Sequence, residues 1–297
     1  MTKTENSYIQ INSDGRVILT DAWSGSLGLS ESVSFLEPGL FETSQTQKFP
    51  IGIVDVGRLY GEEAEIAFPH GTGAIYFHGC ALKCSHCYQP EFFASKAQAY
   101  VSSEKVVEWM LKFQETGAQS ISLVMSHFQS FVVDIIQEAK TRGLILPVVY
   151  NFSGQMNPKA VQALVPWVDF FLPDAKAMSK AFCLEQGIPI SYPESLKKVA
   201  RVIDENQKRA LFRYLLIPSF KSHLSELKLI VSELNLKNHP RFKLSLLEWF
   251  KDPITGRISR ISKLELRQII EFLTKQNVSY CLQSSHKEKE EVELMYG

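Results

Sequence analysis

The chain has 297 residues, 45% of them hydrophobic and 22% charged, a balance that suits one large globular domain and excludes a disordered polymer. Its 32 basic and 32 acidic side chains cancel to zero formal charge, which argues against a nucleic-acid protein held by bulk basic charge. No apolar run reaches the roughly 18 residues of a membrane span, and the opening Met-Thr-Lys-Thr-Glu-Asn has no apolar signal stretch, so a soluble cytoplasmic protein with neither membrane nor nucleic-acid partners is expected.

Residues 1–48 are polar and turn-rich and read as an N-terminal extension. Within it a short hairpin is predicted about Asn12 and Gly15, with residues 8–11 and 17–19 as its arms. Beyond it, over residues 49–285, strands and helices alternate. Strands are expected at 74–77, 121–124, 147–150, 170–172, 211–217, 243–247 and 278–282. Helices are expected at 102–116, 131–139, 158–165, 194–206, 225–234 and 262–275. The first helix places Val106, Val107, Trp109, Met110 and Phe113 near helical spacing behind Ser102 or Ser103 as N-cap, and Gly143 marks the end of the second. Residues 286–297 form a charged tail.

Such alternation implies βαβ units and a parallel sheet. About six units fit, fewer than the eight of a full barrel. An open, partial (β/α)6 barrel is the first expectation and a doubly wound sheet the second. Both place chemistry beyond the C-terminal ends of the strands. Polar residues recur there: the cysteines after the first strand, Ser126 and His127 after the second, Asn151, Ser153 and Gly154 after the third. Asp174 and Lys176 follow the fourth, and Glu248 the sixth. Arg213 lies inside an apolar strand, where a charge is costly without a partner.

Three of the five cysteines fall in one loop, Cys80-Ala-Leu-Lys-Cys84-Ser-His-Cys87, while Cys183 and Cys281 stand alone and read as ordinary core or surface residues. Close clustering without an export signal points to metal rather than disulfides. Thiolates suit zinc or an iron–sulfur cluster. Zinc would need His70, His78 or His86 to complete a non-catalytic Cys3His site. A cubane cluster held by three thiolates would leave one iron open to an exogenous ligand. His86, wedged between two coordinating positions, reads better as a wall of the site than as a ligand.

The C-x3-C-x2-C loop after the first strand of a six-fold β/α repeat resembles the radical S-adenosylmethionine (SAM) superfamily. Gly61-Glu62-Glu63 with Gly71-Thr-Gly-Ala-Ile-Tyr-Phe-His-Gly-Cys80 is similar to pyruvate formate-lyase activating-enzyme-like proteins. So are Tyr150-Asn151-Phe-Ser153-Gly154, Leu172-Pro173-Asp174-Ala-Lys176 and Arg213-Tyr-Leu-Leu-Ile-Pro218. The resemblance runs over residues 50–285. It implies that Cys80, Cys84 and Cys87 bind one [4Fe-4S] cluster and that the amino and carboxylate groups of SAM chelate the fourth iron. Reductive cleavage would then give methionine and a 5′-deoxyadenosyl radical that abstracts hydrogen from substrate, in related activases from a glycine of a partner enzyme. The electron would come from a donor such as flavodoxin or ferredoxin.

By the same resemblance, Asp174 and Lys176 match an Asp-x-Lys motif that holds SAM, and Asn151, Ser153 and Arg213 match polar positions of that pocket. His86, where the superfamily is often aromatic, would border the adenine. The chain departs from the pattern after the second strand. Val124-Met125-Ser126-His127-Phe128 stands where a Gly-Gly-Glu run meets the SAM amine, leaving Ser126 and His127 as replacement polar contacts. The substrate, a protein or a small molecule, does not follow from the motifs.

Overall fold

The computed structural model describes residues 9–11, 17–19, 51–80, 82, 84–87, 99–125, 132–251 and 255–283. Ser126, His127, most of the N-terminal extension and the charged tail lie outside them. Strands β1 (Ile9–Ile11) and β2 (Val17–Leu19) pair antiparallel with Ile9 opposite Leu19, as the hairpin prediction requires.

The main chain path then runs β3 (Ile51–Leu59), α1 (Ala64–Ala67), β4 (Thr72–Phe77), β5 (Ala99–Val101), α2 (Ser103–Glu115), β6 (Ser120–Met125), α3 (Val132–Thr141), β7 (Val148–Phe152) and α4 (Pro158–Leu164). It continues through β8 (Phe170–Pro173), α5 (Lys180–Gln186), α6 (Tyr192–Glu205), β9 (Arg209–Leu215), α7 (His223–Glu233) and β10 (Phe242–Leu247). The hairpin β11 (Trp249–Lys251) and β12 (Ile258–Arg260) precedes α8 (Lys263–Lys275) and β13 (Tyr280–Gln283).

Nine strands form one open mixed sheet in the order β13-β10-β9-β8-β7-β6-β4-β3-β5. From β4 to β13 every neighbour is parallel, while β3 is antiparallel to β4 and β5 to β3. All seven predicted parallel strands are present, with boundaries shifted by a residue or two. The sequence reading missed β3, β5, α1, α5 and the β11–β12 hairpin. Gly52, Asp55, Gly57 and Arg58 interrupt the apolar pattern of β3, and a bulge falls between Ile53 and Asp55.

Both faces of the sheet are buried, so the strands read as apolar runs rather than alternations. On one face Phe77, Leu123, Tyr150, Phe171, Phe212 and Leu244 pack under the helices in the large core. Side-chain oxygens start the covering helices: Ser102 accepts from the Lys105 N–H at 3.1 Å, Asn157 from Lys159 at 2.9 Å and Ser262 from Glu265 at 3.1 Å. Gly73 lets α2 approach β4, since a Cβ there would lie 2.3 Å from the Phe113 ring.

The other face carries a smaller cluster of Ile66, Val149, Phe170, Leu172 and Leu211, with Cys281 against it. Helix α1 thus lies over this face. Ser120 Oγ donates to the Ile66 carbonyl at 2.8 Å, Lys243 pairs with Glu65, and Glu63 meets Arg213 and Ser245. Through Glu63, Glu65 and Ile66, one four-residue helix and its cap engage β6, β7, β8, β9, β10 and β13. Among the described residues, no helix is long and apolar enough to cross a membrane.

Candidate active site at the cysteine loop

Strand β4 delivers the chain to His78 and Gly79. The φ of 101° at Gly79 is one that glycine adopts without strain, and it turns the chain into the cysteine loop. Leu82, 1% exposed, anchors that loop in the large core, and Cys80 and Cys84 pack against the same core. The Cys87 N–H closes a tight turn on the Cys84 carbonyl at 3.2 Å. Ser85 ties the loop to the end of α5, its N–H donating to the Gln186 carbonyl at 3.0 Å. The Gln186 side chain in turn donates to the Lys176 carbonyl.

Burial pushes the Cys80 thiol up to about 12; the Leu82 N–H and Lys176 oppose this, while Cys84 and Cys87 add to it. Burial also raises Cys84, against the charge of Lys176 and with that of Asp174. Cys80 therefore lies within electrostatic reach of Cys84 and Cys87, and Cys80 and Cys84 within reach of Lys176. Thiols held protonated by burial become thiolates when a metal takes the proton's place.

Among the described residues, no three His, Cys, Asp or Glu side chains converge as a single metal ion requires. His70 is exposed, and the His86 ring packs edge-on against Phe220 with centroids 5.4 Å apart. Burial, aided by the Lys176 charge, holds His86 down to about 3, and its buried Nδ1 has no hydrogen-bond partner. His86 is thus an uncharged ring packed on Phe220 within the cysteine loop.

Lys176 Nζ lies 2.6 Å from Asp174 Oδ2, just past the end of β8. Burial works against the ammonium, but Asp174 and the neighbouring Cys84 outweigh it and keep Lys176 well above its ordinary value. Tyr192 organises the backbone beneath the pair. Its hydroxyl lies 2.8 Å from the Ser153 carbonyl and 2.6 Å from that of Asp174, and it accepts from the Lys176 N–H at 3.2 Å. Gly154, at φ 81°, fits where a Cβ would stand 2.2 Å from the Asp174 carbonyl and 2.6 Å from the Tyr192 hydroxyl. Ser153 and Asn151 are buried beside it on β7 and its exit.

Arg213 goes elsewhere. Its backbone bridges Asp174, but its guanidinium is bidentate to Glu63, at 2.7 Å and 2.5 Å, and also meets Glu62. Ser245 Oγ donates to Glu63 at 2.9 Å. Burial pushes Glu63 up to about 7 and Arg213 down to about 9. The bidentate contact acts oppositely on both partners and keeps them an ion pair. The structure thus gathers Cys80, Cys84, Cys87, His86, Asp174 and Lys176 in one neighbourhood, with Ser153 on its backbone scaffold, and places the Arg213 side chain in a separate ion pair under α1. Cys183 is buried and Cys281 half-buried.

Sequence reasoning missed Tyr192, Gln186 and Glu226. The Glu226 carboxylate on α7 accepts from the Ser179 N–H and O–H, each at 2.7 Å, and from the Met178 N–H, so it fixes the loop that follows Lys176. No local pattern marks these residues, because each acts across 10 to 48 positions of chain.

No family model matches the sequence, and no curated protein does. Solved structures do. SuiB from Streptococcus suis, in a structure bound to S-adenosylmethionine, superposes with a TM-score of 0.53 at 15% identity over 70% of this chain and 49% of its own. This chain thus matches about half the length of SuiB. A radical SAM methyltransferase from Sphaerobacter thermophilus gives 0.55 at 13% identity, covering 79% of this chain and 77% of that one. Methylornithine synthase (PylB) gives 0.50 at 13% identity over 75% and 76%. Likeness at such identities speaks to architecture: the chain has the fold of radical SAM enzymes.

Proposed function

We propose that the protein is a radical SAM enzyme in which Cys80, Cys84 and Cys87 hold one [4Fe-4S] cluster and SAM completes the fourth iron. The observation that carries this reading is the group of three half-buried thiols, Cys80 coupled to both Cys84 and Cys87, beside the Asp174–Lys176 pair at the strand ends of this fold. When bound, the pair of cofactors supplies one-electron cleavage of the sulfonium and hydrogen abstraction from a substrate carbon.

The chain's own residues bind and shield. Lys176 offers an ammonium to the polar groups of SAM, and Asp174 aligns it. His86 closes the adenine side as an uncharged wall, with Ser153 and Asn151 lining the strand ends. The sheet curves into a partial barrel around this chamber and excludes water from it. The reach of α1 supports the curvature: six flat strands would span about 24 Å, whereas a four-residue helix is about 6 Å long. The substrate is a protein or a small molecule, and the activase-like motifs favour a protein partner of the glycyl-radical type, with the electron supplied by a donor such as flavodoxin or ferredoxin in the cytoplasm.

Anaerobic reconstitution tests the reading. The protein should be brown, carry about four irons and, once reduced, convert SAM to 5′-deoxyadenosine; Cys84→Ala should abolish the conversion. A colourless zinc-loaded protein, or product formation that survives the substitution, would remove it.

A further inference from the structure

An exposed surface outside the chamber combines positive charge with apolar side chains left in solvent. From Arg257 to Arg267 the chain carries four cations, Arg257, Arg260, Lys263 and Arg267, against a single carboxylate, Glu265. All four cations are exposed, and the charge of Glu265 reaches inward to Tyr214 and His223. Between the cations, Ile258 is 52% and Leu264 66% exposed. Strand β12 pairs with β11 on one side, and among the described residues no strand lies on its other side. A sheet of two three-residue strands is marginal in water, and an open edge that displays an apolar side chain is a template for a further strand. Such an edge suits a partner that is rich in carboxylates and alternates in polarity.

The chain itself contains one. After β13 it reads Lys289-Glu-Glu-Val-Glu-Leu-Met-Tyr296. In an extended backbone this order puts Glu291 and Glu293 on one side and Val292, Leu294 and Tyr296 on the other. The point of departure is set by the sheet. Gln283, the last residue of β13, pairs in register with Leu247, and its carbonyl accepts from the Glu248 N–H at 3.1 Å. Trp249 comes next, begins β11 and stands opposite Arg260 of β12. The segment therefore leaves the sheet at the base of the hairpin. From Gln283 to Glu290 the chain can reach up to about 24 Å, whereas β12 is only about 10 Å long.

We propose that residues 290–296 dock along β12 as a third, antiparallel strand of the hairpin. Val292 and Leu294 cover Ile258 and Leu264, while Glu291 and Glu293 meet Arg257 and Lys263. Cross-strand pairs of this kind, apolar on one face and oppositely charged on the other, are what hold an added strand. The docking lies where β10 and β13 end and uses no residue of the cysteine loop, so it stands apart from the enzyme reading.

Hydrogen exchange followed by mass spectrometry on the full chain, without cofactors and at low ionic strength, tests the docking. Amides 290–296 should exchange about tenfold more slowly than an unstructured peptide of the same sequence, the scale of two exposed ion pairs with a small apolar contact. Arg257→Glu with Lys263→Glu should abolish that protection, as should Glu291→Lys with Glu293→Lys. All four substitutions together should restore it. Arg257 and Lys263 are exposed, so their reversal should leave the Tm unchanged. Protection should also fall in about 1 M salt. Exchange of 290–296 at the unstructured rate in the unaltered chain would overturn the proposal. So would protection that survives either charge reversal or that the fourfold variant fails to restore. Protection that grows with protein concentration would overturn it too, by putting a second copy on the edge.

Discussion

Gly154 shows how one missing methyl group shapes the site. The exits of β7 and β8 meet the Tyr192 hydroxyl with no room for a Cβ, and the positive φ adds strain for any other residue. Gly154→Ala is expected to cost about 2 to 4 kcal/mol, read by denaturant unfolding, and to displace Asp174. Lys176→Ala should leave iron content intact and weaken SAM binding about tenfold, the scale of one lost charge-assisted contact; unchanged affinity would make Lys176 a structural residue. The cysteine trio and Asp174–Lys176 were legible in the sequence because chemistry is compressed there into eight and three residues. Tyr192 was not, since an aromatic at the start of a helix looks like any core residue. Arg213 was legible as a charge in need of a partner, but the partners lie 150 positions away.

At the level of elements, α7 is a clamp for the loop that leaves β8. Glu226→Ala would strand two N–H groups and a hydroxyl, costing about 3 kcal/mol, and should speed amide exchange over residues 176–180. The same helix carries His223. Its Nε2–H donates to the Ile217 carbonyl at 2.8 Å, which leaves Nδ1 to accept from the Tyr214 hydroxyl at 2.8 Å. Burial lowers its affinity for a proton, despite the opposing pull of the carbonyl and nearby carboxylates. The unfolded chain protonates first, so this contribution to stability is complete above about pH 6.5 and declines as pH falls below it. Melting curves from pH 5 to 8 should show that slope, and His223→Phe should flatten it. Long elements with a clear period and a serine cap, such as α2 and α8, could be read from sequence. Helices of four and seven residues, α1 and α5, are too short for a period to register.

Across the whole molecule, the β3–α1 connection is bonded to the far side of the sheet. Arg213→Ala would leave Glu63 buried without its counter-ion and should destabilise the fold by about 3 to 5 kcal/mol. Burial pushes the Glu63 carboxyl up from 4.5 to about 7, and removing the guanidinium favours the protonated form further. A folded-state value raised in this way favours the fold at acid pH, and the benefit fades as pH rises through about 7. The variant should therefore be least stable under alkaline conditions, and a pH-independent loss would contradict the assignment. The parallel order of seven strands followed from alternating apolar runs and helices. The antiparallel β3–β5 edge did not, because Gly52, Asp55, Gly57 and Arg58 break the apolar pattern of β3 and β5 is only three residues long.

One consequence concerns timing. The Ser85 clamp comes from residues 185 and 186, with 100 positions separating Ser85 from Glu185. A ribosome that has just released the three thiols has not yet synthesised what fixes them, so the loop gains this clamp only once residues 185 and 186 have followed. Ser85→Pro, which removes the N–H that donates to the Gln186 carbonyl, should accordingly slow iron uptake into purified apoprotein while leaving its final content unchanged.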